Sequence, residues 1–483
     1  MRLQPYSPIL LIVVLLLLLV GCGDGGAPRQ PWSDIGMAPG QDAHQGTAKV
    51  PPETAWETPP GTTPLEMRFD RETQPFAYSL PHMPAPVPIP GIRAEDCGKC
   101  HETIYAEWKS STHAHALSDL QYQAELAKPD SPRWLCLNCH TPLEAQRAKI
   151  TVGLVDNDVM RPVERPNPHF DPKLQKEAVT CAVCHLRLGE DGKSYILGPN
   201  GSEHAPHPVQ KDPERLRSVC LRCHDPTGDA ITPNLLCWFT TRQELVEGGG
   251  KANDCSSCHM PAKYRILVDS LPDLPIRKAH RHTFPGSGIP KTHSGYDQLH
   301  RSGWKSGLAI QAEREGPKVL VTLHNEGGGH SVPTGDPERF VQVRLRAFDA
   351  QGGQTWEKLE RIGQTWEWNP ARKIGDNRIR PDEKRKLEFE PPAAARLVLD
   401  ILNVRLSKSA ARHMAKTTGL DESLLPGANA KVKDIGRLYP FATYIHRQTW
   451  AMDAAAAGVI ADPRTLVELS RAEREIPIED RSY

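Results

Sequence analysis

The sequence predicts a mostly α and irregular region built around bound cofactors, then a small β-sandwich-like domain and a partly helical tail. Three observations carry that expectation. Five Cys-x-x-Cys-His stretches fall between residues 97 and 259 and use ten of the twelve cysteines. From residue 311 the pattern changes to short alternating runs such as Val319, Val321 and Leu323. Before residue 93 the chain is a short apolar run followed by a proline-rich stretch.

The five stretches are Cys97-Gly-Lys-Cys100-His101, Cys136-Leu-Asn-Cys139-His140, Cys181-Ala-Val-Cys184-His185, Cys220-Leu-Arg-Cys223-His224 and Cys255-Ser-Ser-Cys258-His259. Each has the pattern of a c-type haem attachment site. The two thiols form thioethers with the haem vinyl groups, and the following histidine becomes the proximal iron ligand. Zinc sites also use Cys-x-x-Cys pairs, but have no need of a histidine directly after the second cysteine five times over. Disulfides would have to close tight four-residue loops. The sequence therefore implies five covalent haem c groups, with the cysteines as attachment points and His101, His140, His185, His224 and His259 on iron.

Composition narrows the function classes. The 483 residues carry 59 Lys+Arg against 59 Asp+Glu, so no basic surplus points to nucleic acid. Only 38% of residues are hydrophobic, and five macrocycles would supply apolar surface that the protein itself lacks.

Taken in order, residues 1–21 read as a signal segment, with Arg2 before an apolar run from Ile9 to Val20 that is too short to span a bilayer. It ends Leu19-Val20-Gly21-Cys22, similar to a bacterial lipobox whose cysteine is lipidated. Gly23 after Cys22 resembles the pattern sent to the outer membrane. Residues 22–92 are expected to be a Pro-rich tether, reaching up to roughly 200 Å at about 3.1 Å per residue, with His44 and His82 solvated. Residues 93–310 are the pentahaem domain. Their motif spacing is too irregular for a sequence repeat, so the haems must share one core. Helices are expected over Glu102–Leu120 and Pro213–Cys220, with loops at Gly153, Gly189–Gly198 and Pro206–Pro208. Residues 311–406 carry several strand-like runs around a turn at Asp349–Gly353, the signature of a small sandwich. Residues 407–483 form a partly helical extension, in which Ser407 is placed to cap a helix.

Each iron has a second axial position, and methionine there raises the potential relative to histidine. Between the first motif and residue 330 stand only Met160 and Met260, and Met260 follows a proximal histidine directly. Histidine supply therefore favours bis-histidine haems. The favoured distal candidates are His113 over His115, His207 over His204, and His282 over His280. His330 joins them because Gly327-Gly328-Gly329 before it would let the backbone approach a flat ring. His169 is weaker, and His293, His300 and His324 read as surface residues. Cys237 reads as a buried lone thiol without a haem role.

Trp108-Lys-Ser-Ser-Thr-His113, Val179-Thr-Cys-Ala-Val-Cys-His185 and the Cys-x-x-Cys-His-Met260-Pro261 ending resemble the cytochrome c-554/c-552 family of multihaem cytochromes. Gly329-His330-Ser-Val-Pro-Thr-Gly335 is similar to a segment of relatives that carry a C-terminal β-domain. The resemblance covers roughly residues 95–340. It implies electron transfer in respiration outside the cytoplasm, and fixes no donor or acceptor among redox partner proteins. The lipobox-like ending separately suggests a lipid-anchored position, at the outer membrane on its periplasmic or cell-surface side. The alternative is a reductase for a small nitrogen or sulfur oxyanion at a haem with an open axial position. Pentahaem nitrite reductases place Cys-x-x-Cys-Lys at their active haem, whereas all five motifs here end in histidine.

Overall fold

The structure is a computed structural model. It describes residues 56–451 except 203, 227–231, 233–236, 238, 252–253, 287–306, 369 and 439–441, together with 460–461 and 464–465. All of these belong to one compact unit, Gly40–Tyr483. The signal segment, Cys22, His44, His293 and His300 lie outside the described residues. No described helix is long and apolar enough to cross a membrane.

Residues 93–286 are mixed rather than mostly α. Ten short helices carry the motifs and their connections: α1 Ala94–Gly98, α2 Glu102–Lys109, α3 Leu120–Leu126, α4 Arg133–His140, α5 Pro172–Lys176, α6 Cys181–His185, α7 Pro213–Ser218, α8 Leu221–His224, α9 Thr241–Glu247 and α10 Ser256–His259. Aspartates start three of them. Asp119, Asp171 and Asp212 each accept a backbone N–H of the first turn, and proline follows the last two at the position where a missing N–H costs nothing.

Small sheets fill the spaces between. β1 Thr62–Pro64, β2 Lys149–Val155 and β3 Pro162–Pro166 form one. β4 Leu186–Leu188, β5 Ser194–Gly198 and β6 Val209–Lys211 form another, and β7 Ala262–Arg265 pairs with β8 Arg277–His280. Gly153 thus lies within β2, and residues 189–193 are only the turn of a hairpin, so two expected loops are strands. Glu102–Leu120 is likewise not one helix but α2 followed by turns.

The expected tether is corrected more substantially. β1 pairs with β2 from Thr62↔Val155 to Pro64↔Gly153. Leu65, Phe69, Phe76, Ala77 and Tyr78 are buried with Trp134, Leu135 and Leu154, and Met83 is buried in a neighbouring cluster. Leu80 exchanges backbone hydrogen bonds with Pro142 and Glu144. Prolines here shape a folded wrap, not an extended chain. His82 is half-buried and stacked on His169, with ring centroids 3.9 Å apart. At most the residues before Trp56 remain to act as a tether, which shortens its greatest reach to about 100 Å.

The C-terminal part is a sandwich. β9 Ala309–Glu315, β10 Lys318–His324 and β14 Lys384–Phe389 make one antiparallel sheet, in the order β14-β10-β9. β11 Phe340–Phe348, β12 Gln354–Trp368, β13 Ala371–Asp376, β15 Arg396–Val404 and β16 Ala442–Ala451 make the second, in the order β13-β12-β11-β15-β16. Val319, Val321 and Leu323 face Val341, Val343, Leu345, Leu397, Leu399 and Ile401 across a buried core. The alternation of period two puts these residues on one face. The boundary at 406 moves, because β16 comes from the expected extension and pairs along the whole of β15. Its buried face carries Thr443, His446 and Gln448, so it lacks an apolar signature.

Two further features tie the sandwich down. The helix Lys408–Met414 is capped by Ser407, whose hydroxyl accepts the Ala410 N–H at 3.1 Å. With Leu402, Val404 and Tyr444 it forms a second core that takes in Ala124 of α3. On the same sheet, Asp400 is fully buried and accepts from Arg344 at 3.1 Å, Arg346 at 2.8 Å and Arg447 at 2.7 Å.

Candidate haem-iron centres

Each motif occupies a single helical turn. His101, His224 and His259 donate their backbone N–H to the carbonyl of the first motif cysteine, each at 3.0 Å. Residues i, i+3 and i+4 of a helix share one face, so two thiols and an imidazole point the same way. No described cysteine is in a disulfide. Among the described residues no group of three or more His, Cys, Asp or Glu could hold a metal ion, so the motifs do not converge as zinc centres.

The imidazoles are set up as ligands through Nε2. Nδ1 of His101 donates to the Leu267 carbonyl at 2.7 Å, His140 to Ala116 at 2.8 Å, His185 to Leu197 at 2.9 Å and His259 to Pro285 at 2.8 Å. A carbonyl acceptor on Nδ1 fixes the tautomer and leaves the Nε2 lone pair free for metal. Burial also keeps the rings neutral: it pushes His140 and His224 down to about 4, and His113 and His282 down to about 3.

Three motif histidines face a second histidine. The ring centroids of His224 and His113 are 6.1 Å apart, those of His185 and His282 are 6.2 Å apart, and those of His259 and His330 are 6.3 Å apart. An iron between two ring nitrogens at about 2.0 Å each, a usual metal–imidazole distance, would separate the centroids by roughly 6 Å. His207 lies near His101, and burial, with that neighbour, holds its ring below the usual histidine range. The donor set therefore fits haem iron: paired neutral imidazoles flanked by paired thiols.

The rivals are placed differently. Nε2 of His115 donates to the Lys109 carbonyl at 3.1 Å, which occupies that nitrogen. Nδ1 of His280 donates to the Met260 carbonyl at 2.6 Å, but it is the His282 ring that faces a motif histidine. His204 is exposed. His169 stacks on His82, and His324 pairs with Asp382 at 2.9 Å. His140 differs from the other motif histidines. Its ring lies flat on Tyr122, with centroids 3.5 Å apart and planes within 6°, and no histidine ring stacks across from it among the described residues. Sequence reasoning passed over Tyr122, since an aromatic on a helix reads as core. Cys237 is exposed, not the buried thiol expected from the sequence, and lies near Cys136 and Cys223.

Thiols of different motifs lie side by side: Cys97 beside Cys181, Cys139 beside Cys223, and Cys220 beside Cys255. Cys184 lies close enough to Cys220 and Cys223 to act on them electrostatically. Motif 1 thus sits beside motif 3, and motif 4 sits beside motifs 2, 3 and 5.

Facing imidazoles, flanking thiols and contact between attachment sites are the features of a multihaem c-type cytochrome, the class this chain resembles. Residues 96–186 match the family described as cytochrome c554 and c-prime. The fold is similar to that of a penta-heme cytochrome c552 from Thermochromatium tepidum, with a TM-score of 0.50 and 21% identity over 76% of this chain and 100% of that one. That likeness is one of fold. No curated protein matches the sequence significantly.

Proposed function

We propose that this chain is an electron carrier holding five haem c groups, anchored by a lipid on Cys22 outside the cytoplasm. It would exchange electrons with redox partner proteins in a respiratory chain. The histidine pairs at 6.1–6.3 Å carry the reading, because they present two ring nitrogens to each iron and leave no room for substrate. A haem supplies a one-electron couple at its iron, tuned by axial ligands and burial. The protein's part is to hold His101 with His207, His224 with His113, His185 with His282 and His259 with His330, and to exclude water. Contacts between motif thiols make neighbouring centres near enough for electron exchange, and motif 4 is the junction. The test is intact mass with EPR on purified protein. Five haem masses and at least four low-spin bis-histidine signals are expected; four haems or fewer in fully matured protein would refute it.

A second reading is supported at motif 2. With Tyr122 against His140 and no facing histidine ring among the described residues, that centre has the arrangement for an open axial position, where a small nitrogen or sulfur oxyanion could be reduced. A single high-spin haem whose spectrum changes on adding nitrite, hydroxylamine or sulfite would favour this reading. Five low-spin haems would dismiss it.

A further inference from the structure

Two glutamates behind the facing histidines stand out by burial. Glu107 on α2 and Glu244 on α9 are each 5% exposed. A carboxylate is kept inside a protein only when charge and hydrogen-bond partners offset its lost hydration. Both have such partners, arranged alike.

Glu107 takes Arg265 in a bidentate pair, at 2.9 Å on each oxygen. Its Oε2 also accepts the backbone N–H of His282 at 3.0 Å, while Arg265 donates to the His280 carbonyl at 2.6 Å. Glu244 accepts from Arg378 at 2.6 Å and from the Thr240 hydroxyl at 2.6 Å. Its Oε2 accepts the Ser331 N–H at 3.2 Å and the Thr334 hydroxyl at 2.8 Å. In each case a helix carboxylate, paired with an arginine from another element, accepts a backbone N–H at or next to a histidine that faces a motif histidine.

The loop around His330 is built for this approach. Gly329 has φ +65°, a left-handed conformation that L side chains rarely adopt. A Cβ on Gly248, just beyond α9, would lie 2.9 Å from the Gly329 carbonyl oxygen. Asn325 closes the other side, donating to the His330 carbonyl at 2.7 Å.

We propose that Glu107 and Glu244 are positioning residues that hold His282 and His330 opposite His185 and His259, an inference that rests on reading those histidines as distal ligands. The carboxylates fix the loops independently of metal, so the imidazoles are in place without the iron ordering them. Partners beyond a ligand orient it, and their loss weakens ligation.

The test uses full-length holoprotein with Glu244→Ala, Glu244→Gln, Thr334→Val and His330→Ala. Haems are counted by intact mass and spin states by EPR and optical spectra. His330→Ala is expected to add one high-spin haem to those of the parent; if it adds none, the ligand reading fails. Glu244→Ala is expected to keep every haem, to add a high-spin fraction at the same centre, and to return to low spin with added imidazole. Glu244→Gln, which keeps an acceptor, should add less. An unchanged spectrum for Glu244→Ala beside a changed one for His330→Ala overturns the inference alone. If Glu244→Ala does not accumulate, Thr334→Val decides. A severalfold tighter apparent affinity for imidazole supports positioning, and an unchanged affinity overturns it.

Discussion

Phe69 tests whether the proline-rich segment is structure or spacer. Its side chain is 6% exposed and sits edge-on to two aromatic rings, with centroids 6.2 Å from Phe76 and 6.2 Å from Trp134. Trp134 belongs to α4, the helix that carries motif 2, and its indole N–H is fixed to the Val159 carbonyl at 2.8 Å. Phe69→Ala removes a buried ring and leaves a cavity, which costs about 3–5 kcal/mol, including edge contacts of roughly 0.5–1.5 kcal/mol each. A local loss of about 3 kcal/mol raises the open population by roughly two orders of magnitude. Hydrogen exchange read by mass spectrometry is the assay, since haem-loaded multidomain chains seldom unfold in two states. Amides of residues 62–80 and of β2 should exchange about a hundredfold faster in the variant, with β11 and β15 unchanged. Parent protein that already exchanges freely over 62–80, or a variant identical to it, would refute the packing argument.

Three further outcomes are expected. Asp400→Ala strands Arg344, Arg346 and Arg447 around a vacated buried site, so thermal or denaturant unfolding of the sandwich should show a loss of about 3–5 kcal/mol; Glu66→Ala, which removes only an exposed partner of Arg71, should cost under about 1 kcal/mol. Glu338 is pushed from 4.5 up to about 7 by burial and by Asp336. The folded state then binds the extra proton between those values, so stability is full below 4.5 and falls as pH rises through 7. The slope is at most about 1.4 kcal/mol per pH unit. Glu338→Gln should match the parent near pH 4 and exceed it at pH 8 in denaturant titrations, and an unchanged slope would sink the assignment. Cys237→Ala should keep all haems by intact mass, because no cysteine or histidine completes a motif around it.

Several features were legible because they are local. A Cys-x-x-Cys-His needs one turn of helix, and Val341 to Ala347 needs only alternation, so composition and period reveal both. The loop that brings His330 against His259 was legible through its glycines. Which histidine faces which was not, since His113 meets His224 from a distant part of the chain. The wrap of residues 56–92 was hidden because Leu65, Phe69, Phe76 and Tyr78 follow no period and sit among prolines. β16 was hidden because its buried side includes the polar residues Thr443, His446 and Gln448, of which Gln448 donates to the Ala312 carbonyl at 3.1 Å. Nothing local in the sequence marks Glu107 and Glu244 as interior groups, because the arginines that pair with them, Arg265 and Arg378, are far off in sequence.

The facing histidines also define a topology of cross-links. On the proposed ligation, His101–His207, His113–His224, His185–His282 and His259–His330 would each close a loop of roughly 70 to 110 residues, a span at which a bridge restricts the unfolded chain strongly. Every loop overlaps the next instead of standing apart from it, like links of a chain. Were iron to bridge the pairs as proposed, no stretch between His101 and His330 would lie outside a closed loop. Losing the His113–His224 bridge would leave every residue still enclosed by a neighbouring loop, whereas losing the His259–His330 bridge would free the stretch after His282 and with it the link into the sandwich.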